Sequence, residues 1–313
     1  MTGFILRRLL ATIPVMLVVA IVVFLLLHLS PGDPAAIIAG DNANDADIEA
    51  VRATLGLDKP LIQQFLLWLG GLLQGDLGAS VFNKIPVWEL ITQRLEPTLS
   101  LAVVTMVFAI SVAIPLGVVA AWKVGTWIDH LIMGVAVLSF SAPVFLIGYG
   151  LVYQFARTWR LLPVQGYTPI AQDFSEWWRH LVLPAVALGL VFAALLARMT
   201  RSTMLDVLNE DYIRTARAKG LAPRAVLIRH ALSNAAVPIV TTIGLGIALL
   251  IGGVVVTESV FAIPGIGRLT IEAVTQRDYP VIQGVILVAS LVYVLINLAI
   301  DVAYAFLDPR IRY

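Results

Sequence analysis

The sequence predicts an all-α integral membrane protein with six membrane-spanning helices and both termini in the cytoplasm. Three observations carry this. Mean hydropathy is +0.91, and the 313 residues are 59% hydrophobic and only 13% charged, outside the composition of water-soluble folds. Apolar runs of about 20 residues recur, the length a helix needs to cross ~30 Å of hydrocarbon. Lys and Arg are spread unevenly over the connectors between those runs.

The spans fall at residues 9–29, 98–121, 131–155, 181–197, 236–260 and 281–307. Lipid offers the backbone no hydrogen bonds, so each is helical. Pro14, Pro115, Pro143 and Pro184 lie in or at the ends of spans, where they kink or start helices. The N-terminus has the basic start of a signal peptide, but its apolar run is too long and no small-x-small site precedes "SPGDP". It therefore reads as an uncleaved first span. Arg7, Arg8, Lys123, Arg198, Arg201, Arg214, Arg217, Lys219, Arg224, Arg229, Arg310 and Arg312 lie on the side of the termini; Arg157, Arg160, Arg179, Arg268 and Arg277 lie in the short loops opposite. By the positive-inside rule the first set is cytoplasmic.

Residues 30–97 are then an external loop, mostly helical by pattern. Asp45 is placed to cap a helix whose apolar stripe is Ile48, Val51 and Leu55 and which Gly56 ends. Asp58 and Pro60 open a second, "PLIQQFLLWLGGLLQG", too short and too interrupted by glycine to span. Its Trp68 and leucines put it in the interface or against the spans, with packing the favoured alternative. No repeat, low-complexity tract or linker divides the chain. Residues 1–313 read as one membrane domain, with the external loop at 30–97 and a cytoplasmic loop at 199–235.

Missing chemistry narrows the function. None of Lys59, Lys84, Lys123 and Lys219 has P-loop context, so the chain has no nucleotide-hydrolysing motif of that kind. The four histidines lack ligand spacing, cysteine is absent, and "GIGRLT" lacks the third glycine of a dinucleotide fingerprint. A net charge of +1 gives no polyelectrolyte signal for nucleic acid. Two intramembrane acids remain, each costing about 2.5–3.5 kcal/mol if it faced lipid. Asp301, one turn after Asn297, suits an ion pair with Arg7, Arg8 or Arg198. Glu258 suits either an outer gate or a cap on the adjoining "FAIPGIG" turn. Ser139, Ser141 and Pro143 in "SFSAP" either line a path or mark helix packing or a kink.

The densest cationic stretch is "EDYIRTARAKG", residues 210–220. Asn209 is a good N-cap, Glu210 and Asp211 suit the positive end of a helix dipole, Arg217 and Lys219 the negative end, and Gly220 is a natural stop. A second helix begins at Pro223, with an apolar stripe of Val226, Leu227, His230, Ala231 and Asn234. Three readings compete: an ordinary positive-inside loop, a DNA-binding helix-turn-helix, and a rigid element that docks on a cytosolic protein and carries its motion into the membrane. The second is disfavoured because the second helix offers only Arg224 and Arg229 between two spans.

"DYIRTARAKGLAPRAVLIRHALSNAAVP" resembles the loop signature of the permease subunits of ABC importers, in the form used by the dipeptide, oligopeptide and nickel branch. The general pattern has Glu-Ala-Ala, three residues, then Gly. Here Arg214, Thr215 and Ala216 fill the first three places and Gly220 the last, with arginine replacing glutamate as is common in this branch. "SPGDP", "LGLDKPLIQQF", "GDLGAS", "RLEPTLSLA", "HLVLPAVALGL", "VFAIPGIGRLTIEAVTQRDYPVIQG" and "DPRIRY" extend the resemblance over most of the chain.

The resemblance implies a type I importer permease fold in a prokaryotic inner membrane. It implies a second, homologous permease as partner, two cytosolic ATPase subunits carrying ATP and Mg²⁺, and an external solute-binding protein, with no cofactor on this chain. The helix at Arg214–Gly220, with Arg217 and Lys219, would be the coupling helix. Its expected cargo is a di- or oligopeptide, or a related solute such as glutathione or chelated nickel. The rival class is a non-transport membrane scaffold or regulator.

Overall fold

A computed structural model describes residues 2–29, 33–39, 44–54 and 56–307. They are predominantly helical, and among them extended pairing is limited to one isolated antiparallel bridge between Ala79 and Pro86. In chain order the helices are α1 (Thr2–Leu29), α2 (Pro34–Ala39), α3 (Asp45–Thr54), α4 (Leu61–Leu73), α5 (Val87–Trp122), α6 (Trp127–Ser141) and α7 (Val144–Leu151). There follow α8 (Phe174–Leu208), α9 (Asp211–Ala218), α10 (Pro223–Ala225), α11 (Ser233–Val260), α12 (Ile266–Gln276) and α13 (Tyr279–Leu307). Residues Val152–Thr158 after α7 and Val226–Leu232 after α10 are π-wound.

Among the described residues five helical stretches are long and apolar enough to cross a membrane, and a bent helix pair makes a sixth where it is counted as one broken span. The span expected over residues 131–155, with a kink or a helix start at Pro143, is α6 followed after a short break by α7 and its π-wound continuation, bent by 104°. The cause is local. A residue before proline is driven out of the helical region, and Ala142, before Pro143, sits at φ −79° and ψ 131°.

The chain divides into two compact units. The first comprises residues 1–95 and 269–295. In it α4 lies against α1: Trp68 and Leu72 pack on Ala20 and Val23, Phe24 meets Phe65 edge-on, and His28 Nε2 lies 2.9 Å from Gln64 Oε1. Packing on a span is thus what this short helix does. Further along, the buried Asp278 carboxylate accepts from the Ser80 hydroxyl at 2.5 Å and the Val81 amide at 3.3 Å, fixing the segment before α5. Helix α3 begins at Asp45 rather than after it, since the Ile48 amide bonds to the Asn44 carbonyl. The side chains of Val51 and Leu55 lie outside the described residues.

The second unit comprises residues 96–268 and 296–313. Its central helix is α8, capped by Asp173, whose carboxylate accepts from the Ser175 and Glu176 amides. Small residues Ala185, Ala187, Gly189, Ala193, Ala194 and Ala197 are buried along it, which lets neighbouring helices approach closely. A Cβ on Gly253 of α11 would meet Leu188 at 2.6 Å. The side chain of Asp301, and with it the ion pair expected there, lies outside the described residues, as do Arg310 and Arg312.

Candidate functional site

Helix α8 does not stop at residue 197 but runs to Leu208, and this sets up the connector. Asn209 is consumed as the C-terminal residue of α8, at φ −91° and ψ −6°. The N-cap expected of Asn209 therefore falls on Glu210, which is extended and makes no side-chain capping bond. Glu210 offers its backbone carbonyl to the Ile213 and Arg214 amides, and Asp211 supplies the negative charge of the first turn.

The stop of α9 is as expected and more complete. Gly220 has φ +76°, its amide bonds to the Arg217 carbonyl at 3.0 Å, and the Leu221 amide bonds to the Ala216 carbonyl at 3.3 Å. This pair of crossed bonds is a Schellman motif. It leaves Leu221 packed against the same core cluster as Leu205, Val207 and Leu208.

One residue anchors α9. Ile213 is fully buried, in the same cluster as Val226, Leu227 and Ala231. The rest of the helix is outward: Arg214, Thr215, Arg217 and Lys219 are exposed and Ala216 is half-buried. The Asp211–Arg214 pair at 3.1 Å is solvent-exposed and contributes little. Partial desolvation, then the Glu210 charge, push the Tyr212 phenol up. After Pro223 the apolar stripe differs from the expected one. Val226, Leu227, Ala231 and Ala235 are buried, His230 is half-buried and Asn234 is exposed. Val226, Leu227 and Ala231 are thus as expected, and i→i+5 bonding over Val226–Leu232 carries the face one residue on, so that Ala235 and not Asn234 continues it.

Above this connector α8 carries a lock that charge counting did not reveal. Arg201 clamps Asp129 bidentately, Nε to Oδ1 at 2.6 Å and Nη2 to Oδ2 at 2.7 Å. Asp129 is 1% exposed and also accepts from the Gly125 amide. The α5–α6 turn is thereby tied to the stretch of α8 that leads into α9.

At the other end of α11, Glu258 is fully buried. Its Oε1 accepts from the Thr98 hydroxyl at 2.6 Å and its Oε2 from the Arg268 amide at 2.9 Å, while Thr98 Oγ1 accepts from the Ile266 amide at 2.8 Å. The carboxylate thus supports the first turn of α12. The chain enters that turn through Ala262 at φ +50°, and a Cβ on Gly265 would collide with the carboxylate. Ser139 is half-buried and Ser141 exposed, at the break between α6 and α7. Glu258 and the two serines thus stand on different elements, α11 and α6.

The family described as binding-protein-dependent transport system inner membrane component matches residues 113–313, and its N-terminal counterpart matches residues 1–102. The chain belongs to this family. It is a multi-pass inner-membrane permease. It is 53% identical over 310 residues to the "Probable peptide ABC transporter permease protein" of Sinorhizobium fredii, covering 99% of each chain. It is 44% identical over 313 residues to the glutathione transport system permease protein of Escherichia coli, covering 100% of each. With the dipeptide transport system permease protein of Escherichia coli K12 it shares 42% identity, covering 100% of this chain and 99% of that one. Among solved structures, the permease resembles a chain of the methionine ABC transporter in its inward-facing conformation. The TM-score is 0.57 at 18% identity, covering 71% of this chain and 97% of that one; at that identity the likeness concerns the fold.

Proposed function

We propose that this permease forms half of the pathway of an ATP-driven peptide importer and that α9 is the element that couples it to a cytosolic ATPase. The observation carrying this is α9 itself, a short helix anchored by Ile213, closed by a Schellman stop, and presenting Arg214, Thr215, Arg217 and Lys219 outward. A helix so anchored moves as a rigid body with its neighbours, and a groove on a partner can grip its exposed face. The energy comes from outside the chain. ATP and Mg²⁺ sit on two ATPase subunits, a second homologous permease completes the pathway, and a solute-binding protein delivers the cargo to the external side, where the 30–97 loop helps receive it. Closure of the ATPase pair moves the coupling helices, and the spans turn from inward-open to outward-open while cargo is released; hydrolysis resets them. The relatives named for peptide, dipeptide and glutathione transport support a peptide cargo, and the binding protein sets the choice within that class.

The test is Gly220→Pro in the assembled importer. Proline fixes φ near −65° where +76° is needed and removes the amide bonded to Arg217. The expected result is ATP hydrolysis no longer stimulated by loaded binding protein, with uptake down about tenfold or more and normal membrane insertion. Charge reversal at Arg217 and Lys219 together should do the same. Wild-type uptake by either variant would remove α9 from the coupling path.

A further inference from the structure

Arg198 carries a charge that no carboxylate among the described side chains answers. It lies one turn before Arg201 on α8. The carboxylate that Arg201 reaches, Asp129, is already taken up by Arg201 and the Gly125 amide. Arg198 Nε is buried without a hydrogen-bond partner among the described residues. Its guanidinium instead lies over the ring of Phe140, 4.8 Å from the centroid. A cation at the cytoplasmic end of a span normally snorkels toward headgroups and water. This one reaches the other way, since Phe140 lies ~16 Å farther along α6 than Asp129 at about 1.5 Å per residue. A ring face answers only part of the charge of a guanidinium, whose five donors in a planar fork suit a carboxylate. The place is also structurally singular: Ser139 and Phe140 immediately precede the break at Ser141–Pro143, and Phe140 is half-exposed. An arginine here is compatible with the bilayer only if this face is turned to protein or to a wet pathway.

We infer that Arg198, stacked on Phe140, is a carboxylate-binding residue of the translocation pathway that takes the C-terminal carboxylate of a peptide cargo. The inference rests on the peptide-import reading above and names the recognition chemistry within it. A free peptide carries that carboxylate whatever its side chains, so one fixed guanidinium serves many sequences. Stacking on Phe140 orients the planar guanidinium, whose fork suits a bidentate contact with a carboxylate.

The experiment uses the complete importer in proteoliposomes with its binding protein. Two peptides of one sequence are compared, one a free acid and one a C-terminal carboxamide, both first shown to be retained by the binding protein. Because the same binding protein feeds wild type and variant, its own preference cancels from the comparison. Arg198→Gln should lower free-acid uptake about tenfold while carboxamide uptake and basal ATP hydrolysis stay within about twofold. Arg198→Lys should lose about threefold in the acid-to-amide ratio, since an ammonium keeps the charge but not the fork. That variant serves if the glutamine protein does not assemble. An acid-to-amide ratio unchanged from wild type in either variant would overturn the assignment, including the case in which Arg198 binds a lipid phosphate. Failure of the wild-type importer to take up either peptide would instead end the peptide reading itself.

Discussion

At Gly265 a methyl group has nowhere to go, because the position a Cβ would take is filled by the carboxylate of Glu258. Gly265→Ala should therefore destabilise the purified permease by about 1–3 kcal/mol, as overpacking does, seen as a lower melting temperature. Gly220→Ala is the instructive contrast. Nothing lies within 4 Å of a Cβ there, so only the left-handed backbone opposes it, at about 1 kcal/mol. The "PGIG" turn and the Gly220 stop were both legible in the sequence, since glycine marks a close approach at the first, where the Glu258 carboxylate fills the Cβ position, and a left-handed backbone at the second. The partner of Glu258 was not. Thr98 is distant in sequence and reaches the carboxylate only through the packing of α5 on α11. Asn209 misled for a related reason: its side chain suits an N-cap, but the extra length of α8 claimed its backbone first.

The elements were legible where a rule acts locally and obscure where it acts across helices. Pro143 marked a bend, although its size, 104°, follows from Ala142 leaving the helical region. The stripe after Pro223 was legible at Val226, Leu227 and Ala231 and missed only at its end, where a 3.6-residue period was carried through a π-wound turn and pointed to Asn234 rather than Ala235. The Asp129–Arg201 clamp was hidden, since Arg201 read as one more cytoplasmic cation. This clamp joins the turn between α5 and α6 to the approach to α9. Asp129→Ala would leave the Arg201 charge partly buried and unpaired, costing about 3 kcal/mol. Lower thermal stability is expected, together with weaker stimulation of ATP hydrolysis by loaded binding protein. Asp129→Glu should recover part of both. Unaltered stability in the alanine variant would show that the clamp is dispensable.

For the molecule as a whole, hydropathy and run length sufficed to place six spans, because a bilayer imposes helix length and internal hydrogen bonding before any packing is known. The lack of a P-loop left the chain without that means of using ATP, which directed attention to an exposed element able to receive motion from another protein. The structure gives α9 the build for this, with Ile213 buried and Arg214, Thr215, Arg217 and Lys219 outward. The chain has no cysteine, so one introduced thiol is a unique address. Thr215, exposed on α9, is the position to use. A photo-crosslinker attached to Thr215→Cys in the assembled importer should capture an ATPase subunit, with the adduct changing in yield between nucleotide-free and ATP-bound states. Full transport activity with no adduct to an ATPase subunit in either state would contradict the coupling role of α9.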